Sequence, residues 1–262
     1  MLRFSANLGL LWTELPLPDA IAAAAKAGFK AVELHYPYAT PASLVKTACA
    51  RHNLKLLSIN TNIAPGPDGH FGLGAVPGRQ NEFRTLAREA LTYALEAGAG
   101  FVHIMAGCTD RYEQEAAQET FIKNLKWAAS KAAAENLQIL LEPLNSTDIP
   151  GYFYSRPQQA MEIIQTVGAD NIALMFDAYH VGQMGDDILA SLRENFAQIG
   201  HIQIASVPGR HEPDGGTFDY SALFSELEKL NYQGWIGCEY KPRTGVEAGL
   251  IWTEKLDVCL SS

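Results

Sequence analysis

Three observations predict an α/β chain folded as one (β/α)8 TIM barrel. Strand-like and helix-like patterns alternate from end to end, the strand-like segments number eight, and oxygen-bearing side chains recur where the later strands stop. At 262 residues the chain has the length of one large α/β domain spanning 1–262, a size at which single-domain barrels are common.

The candidate strands are Arg3–Asn7, Ala31–His35, Lys55–Asn60, Phe101–Ala106, Gln138–Glu142, Ile172–Asp177, His201–Ala205 and Trp235–Glu239. Helical patterns lie near Leu17–Ala27, Pro41–His52, Gln80–Ala97, Gln114–Glu135, Pro157–Val167, Asp186–Gln198, Tyr220–Leu230 and Val246–Leu260. Several are closed by glycine, at Gly28, Gly98, Gly168 and Gly200. An open doubly wound sheet uses the same alternation, but it usually has fewer strands and an early phosphate-binding glycine loop. No such loop follows the first strand. The glycine-rich stretch at residues 64–79 follows the third strand, has GxG at Gly72 and Gly74 without the strand–GxGxxG–helix context, and reads as a flexible lid or a long loop.

Composition narrows the function. The chain carries 20 Lys plus Arg against 29 Asp plus Glu, a formal charge of −9, which suits neither a nucleic-acid backbone nor an anionic membrane surface. An anionic substrate therefore needs a local cationic patch. Cys49, Cys108, Cys238 and Cys259 are widely spaced and form no CxxC pair, which points to reduced thiols rather than a zinc knuckle or a disulfide framework. The N-terminal stretch lacks a cationic leader with a sustained apolar segment, and no apolar run approaches ~20 residues, so a cytoplasmic protein is expected.

The stretch Gln233 to Arg243 shows how the site is built. Trp235, Gly237 and Glu239 share one strand face, so Glu239 projects from the same side as core residues at the point where the strand stops. Glu142 and Asp177 end the fifth and sixth strands in a comparable way, and Gln203 lies inside the seventh. Barrel sites form at the C-terminal ends of strands, so these four should meet on one rim. Alternation places Leu140, Met175, His201 and Gly237 in the layer below, and turns Ile139, Leu141, Leu174, Phe176, Ile202 and Cys238 toward the helices.

Three carboxylates brought together without a cation repel, and at least one is driven to hold a proton. A divalent metal resolves this. Two Glu, one Asp and one Gln amide are hard oxygen ligands that favour Mg²⁺ or Mn²⁺ over zinc. His103, His180 and His201 are candidate additional ligands, with His201 better read as a core residue one layer deeper. His180, three residues past Asp177, is expected in the loop above the rim, donating to a substrate oxygen. Arg210, His211 and Lys241 supply positive charge around an acidic rim, and a planar guanidinium suits a carboxylate.

Several motifs carry a resemblance that spans essentially the whole chain. MLRFSANL, VPGR at 76–79, EPLN followed by DIPG, FDAYH, HIQIA followed by PGRHEP, and GWIGCEYKP with EAGL resemble the hydroxypyruvate isomerase family of xylose-isomerase-like barrels. The resemblance implies a divalent metal held at Glu142, Asp177, Gln203 and Glu239, with Glu142 and Glu239 as the proton-transfer pair, and His180 and Arg210 on substrate oxygens. Lys241 is a further candidate substrate contact. The implied reaction converts hydroxypyruvate to tartronate semialdehyde through an enediol; the 2-oxo-tetronate isomerases are a close branch. VHIMAG and WIGCEYKPR lean toward that branch, EPLN and DIPG toward the hydroxypyruvate enzymes. The chain departs from the family at Gly216-Thr217, where a Gly-Glu pair is common, so a loop carboxylate is missing.

Three rivals share the scaffold or its architecture. A ketose 3-epimerase usually has His where Gln203 stands, an endonuclease needs a His-rich multi-zinc site and a basic groove, and a binding-only barrel needs neither. The expected partner is a small hydroxy-keto acid, with homo-oligomerisation left open.

Overall fold

The computed structural model describes residues 1–66 and 71–260. Its first half runs β1 Arg3–Asn7, α1 Leu17–Lys26, β2 Ala31–Leu34, α2 Ala42–Arg51, β3 Lys55–Asn60, α3 Gln80–Ala97, β4 Phe101–His103 and α4 Gln114–Ala133. The second half runs β5 Gln138–Leu141, α5 Pro157–Val167, β6 Ile172–Asp177, α6 Ala178–Gln183, α7 Ile188–Asn195, β7 Ile199–Ile204, α8 Tyr220–Lys229, β8 Trp235–Cys238, α9 Val246–Gly249 and α10 Trp252–Lys255. The strands pair in sequence order and in parallel, and β8 pairs with β1, so the sheet is a closed barrel and not an open doubly wound sheet.

Strand register decides which residues face inward together. Asp177 lies opposite Gln203, Gln203 opposite Gly237, and Gly237 opposite Ser5 across β6, β7, β8 and β1. Alternation then turns Ile139, Leu141, Leu174, Phe176, Ile202 and Cys238 toward the helices, and all six are fully buried. The helices return a matching apolar stripe. On α3 it is Phe83, Ala87, Ala90, Leu91, Ala94 and Ala97, a spacing that keeps one face of a 3.6-residue helix on the sheet. α3 and α5 end on left-handed glycines, Gly98 and Gly168.

Several elements differ from the sequence expectation. The strands β2, β4, β5 and β8 stop at Leu34, His103, Leu141 and Cys238, so Glu142 and Glu239 lie just beyond the ladder, where side chains turn into the barrel mouth. Gly200 does not close a helix; it lies within β7, where a Cβ would come 2.7 Å from the Ala173 side chain. The helix expected over Asp186–Gln198 is preceded by α6, which starts directly after β6 because the Asp177 carboxylate accepts from Tyr179 N at 2.9 Å and caps it. Val246–Leu260 holds two single-turn helices, α9 and α10, instead of one long one.

Of the expected lid, residues 67–70 lie outside the described residues, and residues 71–76 are docked. Leu73, Ala75 and Val76 are buried, with Gly74 N and Ala75 N donating to Met105 O and Ala106 O at 3.1 and 2.7 Å. Gly72, at φ +95°, passes so close to Met105 O that a Cβ would sit 2.4 Å from it.

Phe4 ties the barrel to its last helices, meeting the rings of Phe224 on α8 at 5.4 Å and Trp252 on α10 at 6.1 Å. Phe4→Ala is expected to lower stability by about 3–5 kcal/mol, the usual cost of emptying a buried phenylalanine site. Urea unfolding measures it, and a loss below about 1 kcal/mol would show that this contact does not anchor the C-terminal helices.

Candidate active site

Glu142, Asp177, Gln203 and Glu239 converge at the mouth of the barrel, each no more than 5% exposed. Arg210 Nη2 lies 2.5 Å from Glu239 Oε1 and 3.6 Å from Asp177 Oδ2, while His180 Nε2 lies 3.6 Å from both Glu142 Oε1 and Asp177 Oδ2. A cavity of about 200 Å³ opens over this group, with Glu142, Glu239, His180, Arg210, His35 and Tyr36 in its wall.

Burial sets the charge states. It pushes Glu142 well above the ordinary carboxylate range, and the neighbouring Glu239 and Asp177 charges push it further. Burial also raises Asp177, to about 7, with Arg210 opposing the shift. Burial works the same way on Glu239, but the Arg210 guanidinium and His35 outweigh it and hold this carboxyl at about 2. One ionised carboxylate is thus paired with the arginine, and the other two compete for a proton.

Polar atoms without partners mark where a ligand fits. Glu142 Oε1, Asp177 Oδ2 and Gln203 Oε1 are buried and make no hydrogen bond among the described residues. Native interiors seldom leave such atoms unpaired, and a group of oxygens whose nearby donors, His180 Nε2 and Arg210 Nη2, stand off at 3.6 Å suits a hard divalent cation. Ligand atoms of Glu142, Asp177 and His180 fall within 4.8 Å of one another, yet the histidine is the weakest of the three as a ligand. Its Nδ1 accepts from Asn145 N at 3.1 Å, and Asn145 Nδ2 lies 2.7 Å from the same atom. Burial and Arg210 push the ring down to about 3, so it is neutral, and its single proton sits on Nε2 facing the carboxylates. That nitrogen is a donor, not a lone pair for a metal. Gln203 Oε1, buried and without a partner among the described residues, is a candidate oxygen that could serve in its place.

His180 stands on α6 and not in a loop, since Asp177 caps the helix that carries it. Asp148 accepts from both Asn145 Nδ2 at 3.0 Å and Tyr179 OH at 2.7 Å, fastening the loop after β5 to α6. Arg210 is held in a left-handed conformation, φ 55°, by the loop after β7, with its guanidinium 5.1 Å over the Tyr179 ring. Lys241 N donates to Arg210 O at 2.7 Å and Lys241 O lies 2.7 Å from His211 Nδ1, whereas the Lys241 side chain is exposed and outside the cavity wall. Thr217 turns back on its own loop, with Oγ1 donating to Val207 O at 3.1 Å.

His201 lies a layer down, as alternation requires, and its Nε2 is 3.0 Å from Glu33 Oε2 without a hydrogen-bond angle. His103 is fully buried with Nδ1 3.5 Å from Glu142 Oε2, and burial pushes it down to about 3. Sequence reasoning missed Glu33, His35 and Tyr36. Alternation could have found the first two, since Ala31, Glu33 and His35 share one strand face and an acid on an inward face is unusual.

The family model of the xylose isomerase-like TIM barrel matches residues 21–258. The chain belongs to this family. A 2-oxo-tetronate isomerase from Cupriavidus necator is 42% identical over 253 residues, covering 96% of this chain and 97% of its own. A hydroxypyruvate isomerase from Escherichia coli is 36% identical over 255 residues, covering 97% of this chain and 99% of its own. The crystal structure described as an AP endonuclease, family 2, from Brucella melitensis superposes with a TM-score of 0.93 at 39% identity, covering 97% of this chain and 99% of the other. Within the xylose isomerase-like family, then, the relatives' names centre on small-acid isomerases.

The charge states give a pH signature to the cation-free protein. Raised carboxyls stabilise the native state below the unfolded carboxylate range, and this contribution is lost as pH rises through Asp177's native value of about 7. Glu239 runs the other way, its contribution present above the carboxylate range and lost as pH falls toward about 2. Thermal midpoints of chelated protein, wild type minus Asp177→Asn, are therefore expected to decline between about pH 4 and 7. Parallel curves across that window would mean Asp177 titrates normally.

Proposed function

We propose that the protein is an aldose–ketose isomerase that converts hydroxypyruvate to tartronate semialdehyde in the cytoplasm. The observation that carries this reading is the set of unpartnered buried oxygens on Glu142, Asp177 and Gln203 beneath a small cavity equipped with a guanidinium and a neutral imidazole N–H. Glu142, Asp177, Gln203 and Glu239 would hold a divalent cation, Mg²⁺ or Mn²⁺. When bound, it would polarise the substrate's carbonyl and neighbouring hydroxyl and keep the proton-accepting glutamate ionised.

The chain's own residues do the rest. One of Glu142 and Glu239, ionised, removes a proton from the hydroxymethyl carbon, which leaves an enediolate, and the other, holding a proton, delivers it to the former carbonyl carbon while the hydroxyl proton passes to the former carbonyl oxygen. The two glutamates follow strands three places apart in the ring, so they can approach the substrate from different sides. His180 donates Nε2–H to a substrate oxygen, its tautomer fixed by Asn145. Arg210, whose Nε has no partner, takes the substrate carboxylate. Lys241 supports this through its backbone bond to Arg210 O. A wall volume near 200 Å³ suits a molecule of a few heavy atoms, well below the ~300–1,000 Å³ of drug-sized pockets. With a net charge of −9, nucleic acid and anionic membrane are poor partners.

A second reading, 2-oxo-tetronate isomerase, is favoured by the identity to the Cupriavidus relative and by Thr217, whose hydroxyl folds onto Val207 where the family commonly has a carboxylate. A ketose 3-epimerase is a weaker alternative because Gln203 stands where that group usually has histidine. The deciding experiment is a panel of hydroxypyruvate, 2-oxo-tetronates and ketohexoses, run with Mg²⁺ or Mn²⁺ and after chelation. Turnover of hydroxypyruvate that disappears on chelation, with the fold retained, is expected. Full turnover without metal would overturn the cation site, and exclusive turnover of a ketohexose would replace the substrate.

An amide keeps the shape of a glutamate and an oxygen for a cation but carries no proton. Glu142→Gln and Glu239→Gln should each lower kcat by at least ~10²-fold, the scale for loss of a general base. Deuterium exchange from heavy water into the substrate carbon separates the pair: near-normal turnover and exchange in both variants would reduce them to ligands.

A further inference from the structure

Beneath the cation-binding group lies an acid that the proposed reaction does not use. Glu33, on β2, is 1% exposed, in the interior of the barrel. Its Oε1 accepts from Ser5 Oγ of β1 at 2.5 Å, and its Oε2 accepts from Gln203 Nε2 of β7 at 2.9 Å. The carboxylate thus spans β1, β2 and β7. The space it occupies exists because β8 carries Gly237 there: a Cβ at that position would lie 2.3 Å from Glu33 Oε1 and 2.9 Å from Gln203 Cγ.

The consequence concerns an amide, which is nearly symmetric in shape and opposite in chemistry at its two ends. Nothing in the shape of Gln203 decides whether its oxygen or its NH₂ faces the carboxylates of the rim. The carboxyl oxygen on the lower side decides it, because Glu33 Oε2 accepts from the Gln203 amide. Glu33 therefore takes the NH₂ end and leaves Oε1, buried and unpartnered, on the opposite end of the amide. Were the amide reversed, Oε1 would face Glu33 Oε2 acceptor to acceptor, and an NH₂ would point where a cation is to bind.

Resting on the reading of Gln203 as a cation ligand, we infer that Glu33 is a positioning residue that sets the orientation of the Gln203 amide and thereby makes this glutamine a ligand. Ser5 holds Glu33 in place through the other oxygen. Groups of this kind behind a ligand typically change metal affinity ~10- to 100-fold when removed.

The test is a double-mutant cycle in Mn²⁺ affinity, measured by titration calorimetry on wild type, Glu33→Gln, Gln203→Ala and the double variant, with thermal unfolding of each as a check on the fold. Glu33→Gln keeps the shape but can present its own NH₂ to Gln203, so its loss of affinity should be ~10-fold or more. In the Gln203→Ala background the same change should cost almost nothing, because there is no amide left to orient. The cobalt-loaded protein gives a second readout: Glu33→Gln should alter the visible Co²⁺ absorption toward that of Gln203→Ala.

The outcomes separate the readings. Equal losses from Glu33→Gln in both backgrounds would show that Glu33 acts only by its charge, and would overturn the inference. Unchanged affinity in Gln203→Ala would remove Gln203 from the ligand set, and no Mn²⁺ binding by wild type would sink the cation site itself. Should Glu33→Gln fail to fold, Ser5→Ala replaces it in the same cycle, with a smaller loss that again vanishes in Gln203→Ala.

Discussion

The site depends on one constraint: three carboxylates and one guanidinium are packed at the closed mouth of a barrel where water cannot screen them. A single arginine cannot neutralise three acids. Arg210 takes Glu239 at 2.5 Å and holds it ionised, which leaves Glu142 and Asp177 raised and their outer oxygens unpartnered. The unmet demand for positive charge is the ground on which a divalent cation is proposed, and the same imbalance ties the pH behaviour of the cation-free protein to the site.

Holding Arg210 in that position takes much of the loop after β7. The backbone at Arg210 is left-handed, and it stays there because Arg210 N donates to Ser206 O at 3.0 Å and Arg210 O accepts from Lys241 N at 2.7 Å. Farther out, the buried Glu212 carboxylate accepts from Arg243 Nε at 2.8 Å and from Arg243 N at 3.1 Å. The loops after β7 and β8 are therefore joined at two levels, and Glu239 and Arg210, one on each, approach as a fixed pair. The three charges read as a cationic rim divide accordingly: Arg210 faces the site, His211 Nδ1 lies 2.7 Å from Lys241 O, and the side chain of Lys241 stands in solvent.

Much of this was legible in the sequence because barrel geometry converts alternation into position. Eight strand-like runs and the glycines after α3 and α5 were enough for the fold, and the strand-end residues Glu142, Asp177, Gln203 and Glu239 are all buried. What escaped were features that need a third dimension. The α6 start was hidden because Asp177 serves two elements at once, ending β6 and capping the helix, so FDAYH reads as a strand running into a loop. Gly200 looks like a helix stop but answers to the Ala173 side chain on the neighbouring strand β6. Residues 71–76 look flexible from their glycines, yet those glycines let the chain lie against Met105. Glu33 sits mid-strand, where an acid reads as a surface residue until the barrel closes around it.

The barrel floor and the reaction chemistry meet in two groups whose orientation is dictated from behind. His180 has its proton placed on Nε2 because Asn145 N donates to Nδ1, and Asn145 is itself held by Asp148. Gln203 has its oxygen placed toward the rim because Glu33 accepts from the other end of the amide. In both cases a side chain with two nearly equivalent faces is given a single chemical sense by a neighbour that only donates or only accepts. That division of labour suits the proposed transfer of one proton between adjacent carbons. Such a reaction needs donors and acceptors in fixed places, and a ring of strands with short connections can fix them from below while the loops above shape the cavity.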